Sequence, residues 1–188
     1  MPRSRLIAQA GLIAAVYAAL TILSIQTLSF LAWGPVQFRV SEAFTVIALF
    51  TPAAVPGLAL GSVVANTVTF VQSGSPLALL DVIFGSAATL LGAWWTWRYR
   101  DRRAVALLGP VVFNALIVPA YLPWLLAGFG VYVVPFTGID LEGAWLPMYL
   151  FGVAFVGLGQ AVVVYGLGWP LAKALERLGI AELAQGRQ

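Results

Sequence analysis

Arg39 and Glu42 stand three positions apart in the stretch GPVQFRVSEAF (34–44), at the head of an apolar run in which the next charged residue is Asp81. Three amides are set singly into apolar runs, Asn66 into this one and Asn114 and Gln160 into two others. A guanidinium, two carboxylates and three amides offer donors and acceptors for gripping a polar molecule. They offer little for making or breaking bonds. The chain has no Cys and no His, which removes thiol nucleophiles, disulfides, imidazole bases and the usual zinc ligands. No nucleophile, base and orienting group stand together as an enzyme would need. The residues therefore predict binding, with no metal and no cofactor, and not catalysis.

Each residue also has a plainer reading. Arg39 can snorkel to the headgroups with Glu42 pairing to it at helical i, i+3 spacing. Asp81 can offset the positive end of a helix that opens with the cap Ser75 and then Pro76. The amides can join helices through hydrogen bonds, which average about 0.6 kcal/mol in membrane proteins.

The elements that position these groups follow from hydropathy. The chain of 188 residues is 61% hydrophobic and 9% charged, against roughly 25% charged in ordinary soluble domains. The uncharged runs 6–38, 43–80, 104–139 and 143–172 each exceed the ~20 residues one helix needs to cross a bilayer. These features predict an all-α integral membrane protein forming one transmembrane unit over 1–188. The first apolar run is far longer than the ~7–15 residues of a signal-peptide core, so helix one is expected to stay attached.

The net charge of +3 is carried by the clusters RSR, RYRDRR and AKALER beside apolar runs, a pattern of topology signals and not of nucleic-acid binding. Placing all three clusters on the cytoplasmic side requires an even number of spans between them. Six result: about 6–30, 38–50, 58–71, 77–97, 104–126 and 146–171, with both termini cytoplasmic. TPAAVPG (51–57) is the expected corner between the second and third, because proline removes a donor and restricts its predecessor. The second span is short, which draws Arg39 and Glu42 into the membrane. A re-entrant 38–50 segment is the alternative, at the cost of splitting the basic clusters between two sides. In the six-span arrangement Arg39, Glu42, Asn66 and Asp81 converge in depth toward the outside. Asn114 and Gln160 lie nearer mid-membrane, where polar groups face a bundle interior or a wet cavity.

Trp94, Trp95, Trp97 and Trp169 abut basic residues and predict an interfacial belt, while Trp33, Trp124 and Trp145 fall toward the outer side. Ala10, Ala14 and Ala18 form a small-residue stripe on span one, with Gly11, Ala15 and Ala19 beside it. Such a face permits close helix contact, within the chain or with a partner.

The blocks GPVQFRVSEAF, LFTPAAVPGLALG, LLDVIFGSAATLLGA, FNALIV and GLGWPLAKALE, in this order along nearly the whole chain, resemble the QueT family of queuosine-precursor transporters. That resemblance implies a six-helix, substrate-binding S component of an energy-coupling-factor importer in the prokaryotic cell membrane. It implies capture of a 7-deazaguanine derivative from outside, docking on a transmembrane coupling subunit through the Ala10, Ala14 and Ala18 face, and power from two separate ATPases. The chain has no P-loop such as GxxxxGK[ST], so it is not the motor. Arg39, Glu42, Asn66 and Asp81, with Asn114 and Gln160 deeper, are the expected substrate contacts. Two features depart from the family pattern: Gln160 stands where an acid is common, and Pro119, Ala120 and Tyr121 follow FNALIV where another acid is frequent. Fewer acids predict a neutral, cyano-type precursor over a cationic, aminomethyl one. Two other readings remain open at this point, an S component for another vitamin-like molecule and an autonomous secondary carrier. For a carrier one expects internal repeats or charges along a pathway, and neither is clear in the sequence.

Overall fold

The computed structural model describes residues 2–27, 39–128 and 145–180, and among them every regular element is helical. Five helices are long and apolar enough to cross a bilayer: Arg3–Thr27, Ala54–Ser73, Pro76–Arg98, Arg103–Trp124 and Trp145–Arg177. The first is α1 (Arg3–Thr27) and the second α2 (Ala54–Ser73). The third opens with a 3₁₀ turn (Pro76–Ala78) and a π-helical turn (Asp81–Gly85) before α3 (Ser86–Arg98). The fourth enters through the short turn Arg103–Ala106 and continues as α4 (Leu108–Gly128). The fifth is α5 (Trp145–Ala161), a second π-helical stretch (Val162–Gly168) and α6 (Trp169–Arg177).

The expected second span takes a different form. It is a 3₁₀ helix of ten residues, Val40–Leu49, too short to count among the membrane-length helices. Its sequence, VSEAFTVIAL, is rich in β-branched residues that disfavour the α conformation. Thr45 Oγ1 also donates to the Glu42 carbonyl three residues back, at 2.7 Å, a bond that suits the tighter winding. At ~2 Å per residue the segment reaches ~20 Å, against ~15 Å for the same ten residues in an α-helix. The 3₁₀ period of three has a second effect, because side chains at i and i+3 eclipse. Arg39, Glu42, Thr45 and Ala48 therefore share one edge, and all four are buried. Phe44 and Ile47 lie on another edge and are only partly covered.

The packing of α1 on α2 sets the direction of this segment. A Cβ at Gly57 would lie 2.8 Å from the Ala10 carbonyl oxygen, and one at Gly61 2.7 Å from that of Ala14, so only glycine lets these two backbones meet. The contacts advance together along both helices, which makes α1 and α2 parallel. The connection between them must bring the chain back from one end of the bundle to the other, and Val40–Leu49 lies on that return path. Antiparallel neighbours complete the bundle: Asn66 and Ser62 of α2 reach Ser86 and Thr89 of α3, and Gly152 and Gly157 of α5 pack on Pro119 and Ala115 of α4.

Ala14 and Ala18 are buried, and the Ala10–Ala14 edge meets α2. The stripe expected to receive a partner is thus turned toward this chain's own second helix. The face that α1 presents outward carries Gly11, Ala15 and Ala19.

Boundaries differ from expectation in three places. α2 begins at Ala54 and not near 58, because Pro56 falls in its first turn, where the missing N–H has no intrahelical partner to lose. Ser75 precedes Pro76 as expected, yet its side chain makes no capping bond. Trp95 is not a belt residue: its indole N–H donates to the Val105 carbonyl at 2.9 Å and its ring packs on Tyr99 at 4.4 Å. Gly109 leaves room for that ring. Trp33 lies outside the described residues.

The basic clusters gather at one end. Arg103 pairs with Glu176 of α6 and its guanidinium lies over the Trp169 ring at 5.6 Å. Arg5 lines a groove of about 400 Å³ together with Ile180, from the segment that follows α6.

Gly61→Val should lower stability by about 1–3 kcal/mol through overpacking against Ala14 and Tyr17. Gly11→Val, where a Cβ would meet nothing within 4 Å, should leave the fold unchanged. Thermal unfolding of both variants in detergent checks the pair, and equal midpoints would contradict the packing described.

Candidate functional site

At the end of the bundle away from the basic clusters, five elements bring charged and polar groups together. Arg39 precedes the first turn of the 3₁₀ helix, which closes with the Glu42 N–H donating to the Arg39 carbonyl at 2.9 Å. Its guanidinium reaches across to α2, donating through Nη2 to Asn66 Oδ1. The same nitrogen lies 3.9 Å from Asp81 Oδ2. The Arg39 residue is 7% exposed, so snorkelling to a headgroup region does not describe it.

Asn66 is the hub. Its Nδ2 donates to the Asp81 carbonyl at 2.8 Å, with Ser62 Oγ and Ser86 Oγ each at 3.4 Å. The π-helical turn explains how a main-chain oxygen in mid-helix becomes an acceptor for a side chain. Winding from Asp81 to Gly85 departs from the i to i+4 ladder, and such turns recur where a helix aims a group at a site. The Asp81 carboxylate is held on its other side by Tyr121 of α4, whose hydroxyl donates to Oδ1 at 2.7 Å. Gly85 keeps this contact open. A Cβ there would collide with the Asp81 carboxylate and come within 3.1 Å of the Tyr121 hydroxyl. Asp81 is therefore a cross-helix tie and not a helix cap.

Glu42 is fully buried. The Tyr17 hydroxyl of α1 donates to its Oε1 at 2.5 Å. One turn along α1, the Thr21 hydroxyl lies 2.8 Å from Ser41 Oγ, which clamps the residue next to Glu42. The second carboxylate oxygen, Oε2, is buried with no partner among the described residues. Leaving such an atom unsatisfied costs about 1–3 kcal/mol, and more when it is charged.

The two deeper amides behave differently. Asn114 donates to the Pro110 carbonyl of its own helix at 2.9 Å, which answers a main-chain acceptor and not a neighbouring helix. Gln160 is 1% exposed and its Oε1 has no partner among the described residues. Gly168 packs on Val46 and the Ala43 carbonyl. Along the same span Gly152 faces Pro119 and Gly157 faces Ala115, so Gln160 lies about one turn nearer the basic end than Gly157. No hydrogen bond joins it to the cluster among the described residues.

The structure thus joins Arg39, Glu42, Asn66 and Asp81 through one polar neighbourhood and adds Tyr17, Tyr121, Ser41, Ser62 and Ser86. The tyrosines were missed in the sequence, although a signal existed. A tyrosine within an apolar span carries a hydroxyl that has to find a partner. No group of three or more Asp or Glu side chains suited to a metal ion occurs among the described residues.

Helices long enough to cross a bilayer surround buried ionic groups, one of which, Glu42, keeps a carboxylate oxygen without a partner among the described residues, and this defines a membrane protein with a polar interior site. Residues 7–177 match the QueT transporter family, and the chain belongs to that family. No curated protein and no solved structure matches it.

Tyr121→Phe should lower stability by about 1 kcal/mol by leaving Asp81 Oδ1 unsatisfied. Gly85→Ala should cost more, since it displaces both partners at once. Unfolding midpoints unchanged in both variants would show that this contact carries no weight.

Proposed function

We propose that this transporter is the substrate-binding S component of an energy-coupling-factor importer. In this reading it lies in the cell membrane with its basic clusters at the cytoplasmic face and captures a 7-deazaguanine derivative from outside. A transmembrane coupling subunit and two ATPases then drive uptake. The observation that carries the reading is the buried group of Arg39, Asn66, Asp81 and Glu42 at the end remote from the basic clusters. Buried ionisable groups in a membrane segment are costly and mark substrate sites.

The inventory suits a guanine-like edge. A carboxylate accepts from a ring N–H or exocyclic amine, and a guanidinium or amide donates to a carbonyl or ring nitrogen. The absence of any P-loop from the sequence fits a chain that relies on other subunits for ATP. The outward face of α1, with Gly11, Ala15 and Ala19, is small enough for a helix of the coupling subunit to approach closely.

Three experiments test this. Copurification with a coupling subunit and two ATPases is the expected result, whereas uptake by the chain alone on a proton or sodium gradient would make it a secondary carrier. A thermal-shift screen should show stabilisation by deazaguanines, by about 2.7 kcal/mol at a hundredfold excess over Kd. Stabilisation by a vitamin alone would move the substrate class. Arg39→Ala should weaken binding at least tenfold while expression is retained, and wild-type affinity in that variant would remove the site.

A further inference from the structure

The two acids of the site are in opposite states. Asp81 has both oxygens engaged, Oδ1 by the Tyr121 hydroxyl and Oδ2 beside the Arg39 guanidinium, and its carbonyl holds Asn66. Glu42 is more deeply buried than Asp81, yet only Oε1 has a partner. The ion pairs among the described residues are Arg39 with Asp81 and Arg103 with Glu176. Neither involves Glu42.

The sequence closes off other sources of a counter-charge. Arg39 is the single Lys or Arg from Leu6 to Trp97, no Lys or Arg lies between Arg103 and Lys173, and the chain has no His. The remaining basic residues of the described bundle flank the opposite end, where Arg103 meets Glu176. One cation therefore faces two carboxylates, and it is committed to Asn66 and Asp81. A buried carboxylate without a cation is retained where something else supplies the charge and the donor.

Its direction is set from within the chain. Tyr17 is fully buried, and Gly61 leaves so little room that a Cβ there would lie 3.1 Å from Tyr17 Cβ. With Tyr17 on Oε1 and the Thr21–Ser41 bond beside it, the Glu42 side chain is held with Oε2 left over.

We propose that Glu42 Oε2 is the subsite for a positively charged N–H donor of the ligand, with Tyr17 as its positioning residue and Asp81 as framework. This rests on the substrate-binding reading above and assigns the two acids separate roles within it. It also reverses the expectation of a neutral ligand drawn from Gln160 and from Pro119, Ala120 and Tyr121. Counting acids overlooks the shortage of cations opposite Glu42, which is what leaves its Oε2 without a partner in the described chain.

The test compares 7-aminomethyl-7-deazaguanine, which carries a protonated amine, with 7-cyano-7-deazaguanine, using wild type, Glu42→Gln, Tyr17→Phe and Asp81→Asn. Wild type should prefer the amine at least tenfold, because a buried acceptor discriminates against a ligand lacking its donor. Glu42→Gln should abolish the preference and Tyr17→Phe should reduce it. Asp81→Asn should weaken both ligands by similar factors or fail to fold, each as expected of a framework residue. Equal binding of the two ligands by wild type, or an unchanged preference in Glu42→Gln, would overturn the assignment. If neither ligand binds, the substrate reading falls, and the unliganded midpoints decide the Glu42 role. Glu42→Gln should then match or exceed wild type because it removes a buried acid with one oxygen unpartnered, while Asp81→Asn should fall below it. The reverse order would overturn the proposal.

Discussion

A guanidinium buried among apolar helices has to be answered by the protein, because no water or headgroup is at hand to do so. Arg39 is that group, and the architecture around it can be traced from this one requirement. Asn66 offers its oxygen to Arg39 and its nitrogen to the Asp81 carbonyl. The π-helical turn at Asp81–Gly85 makes that carbonyl available to a side chain. Gly85 clears the space in which the Asp81 carboxylate meets Tyr121. Three spans are joined by one chain of contacts that begins at a single cation.

The same requirement explains the unusual second segment. In a 3₁₀ helix Arg39, Glu42, Thr45 and Ala48 share an edge, whereas α winding would turn successive members of that row away from one another. Tight winding thus puts the cation and the unpaired acid on one buried edge and stretches ten residues over a longer rise. It is held from both sides: α1 contributes Tyr17 and Thr21, and Gly168 packs against Val46 and Ala43. Runs of 3₁₀ helix beyond a few residues are uncommon. Burial of most of the segment is what sustains this one.

Small residues carry the remainder of the architecture. Gly57 and Gly61 let α1 and α2 run in parallel at backbone contact, Gly92 and Gly109 admit Pro110 and Trp95, and Gly152 fits Pro119. Lipid chains are as apolar as leucine, so close packing replaces hydrophobic burial as the force between helices. The alanines of α1 divide accordingly. Ala14 and Ala18 are covered within the chain, and Ala15 and Ala19 remain outward. A spacing of four marks both stripes equally, and only the position of α2 distinguishes them.

Much was legible in the sequence alone. Apolar run lengths located the long helices to within a few residues, since the thickness of a bilayer dictates them. The rarity of charge singled out Arg39, Glu42 and Asp81, since a membrane interior tolerates few ionisable groups without a function or a partner. Basic clusters told which ends of the helices belong together. The partnerships were beyond its reach, because hydrogen bonds between spans depend on how each helix is rotated about its axis, and hydropathy is blind to rotation. Tertiary structure decided that Asn114 serves its own helix, that Trp95 braces a turn, and that Tyr17 and Tyr121 each hold a carboxylate. It also decided which acid is already answered and which is left open: Asp81 has its cation and its phenol, and Glu42 keeps one oxygen with nothing in the described chain to meet it.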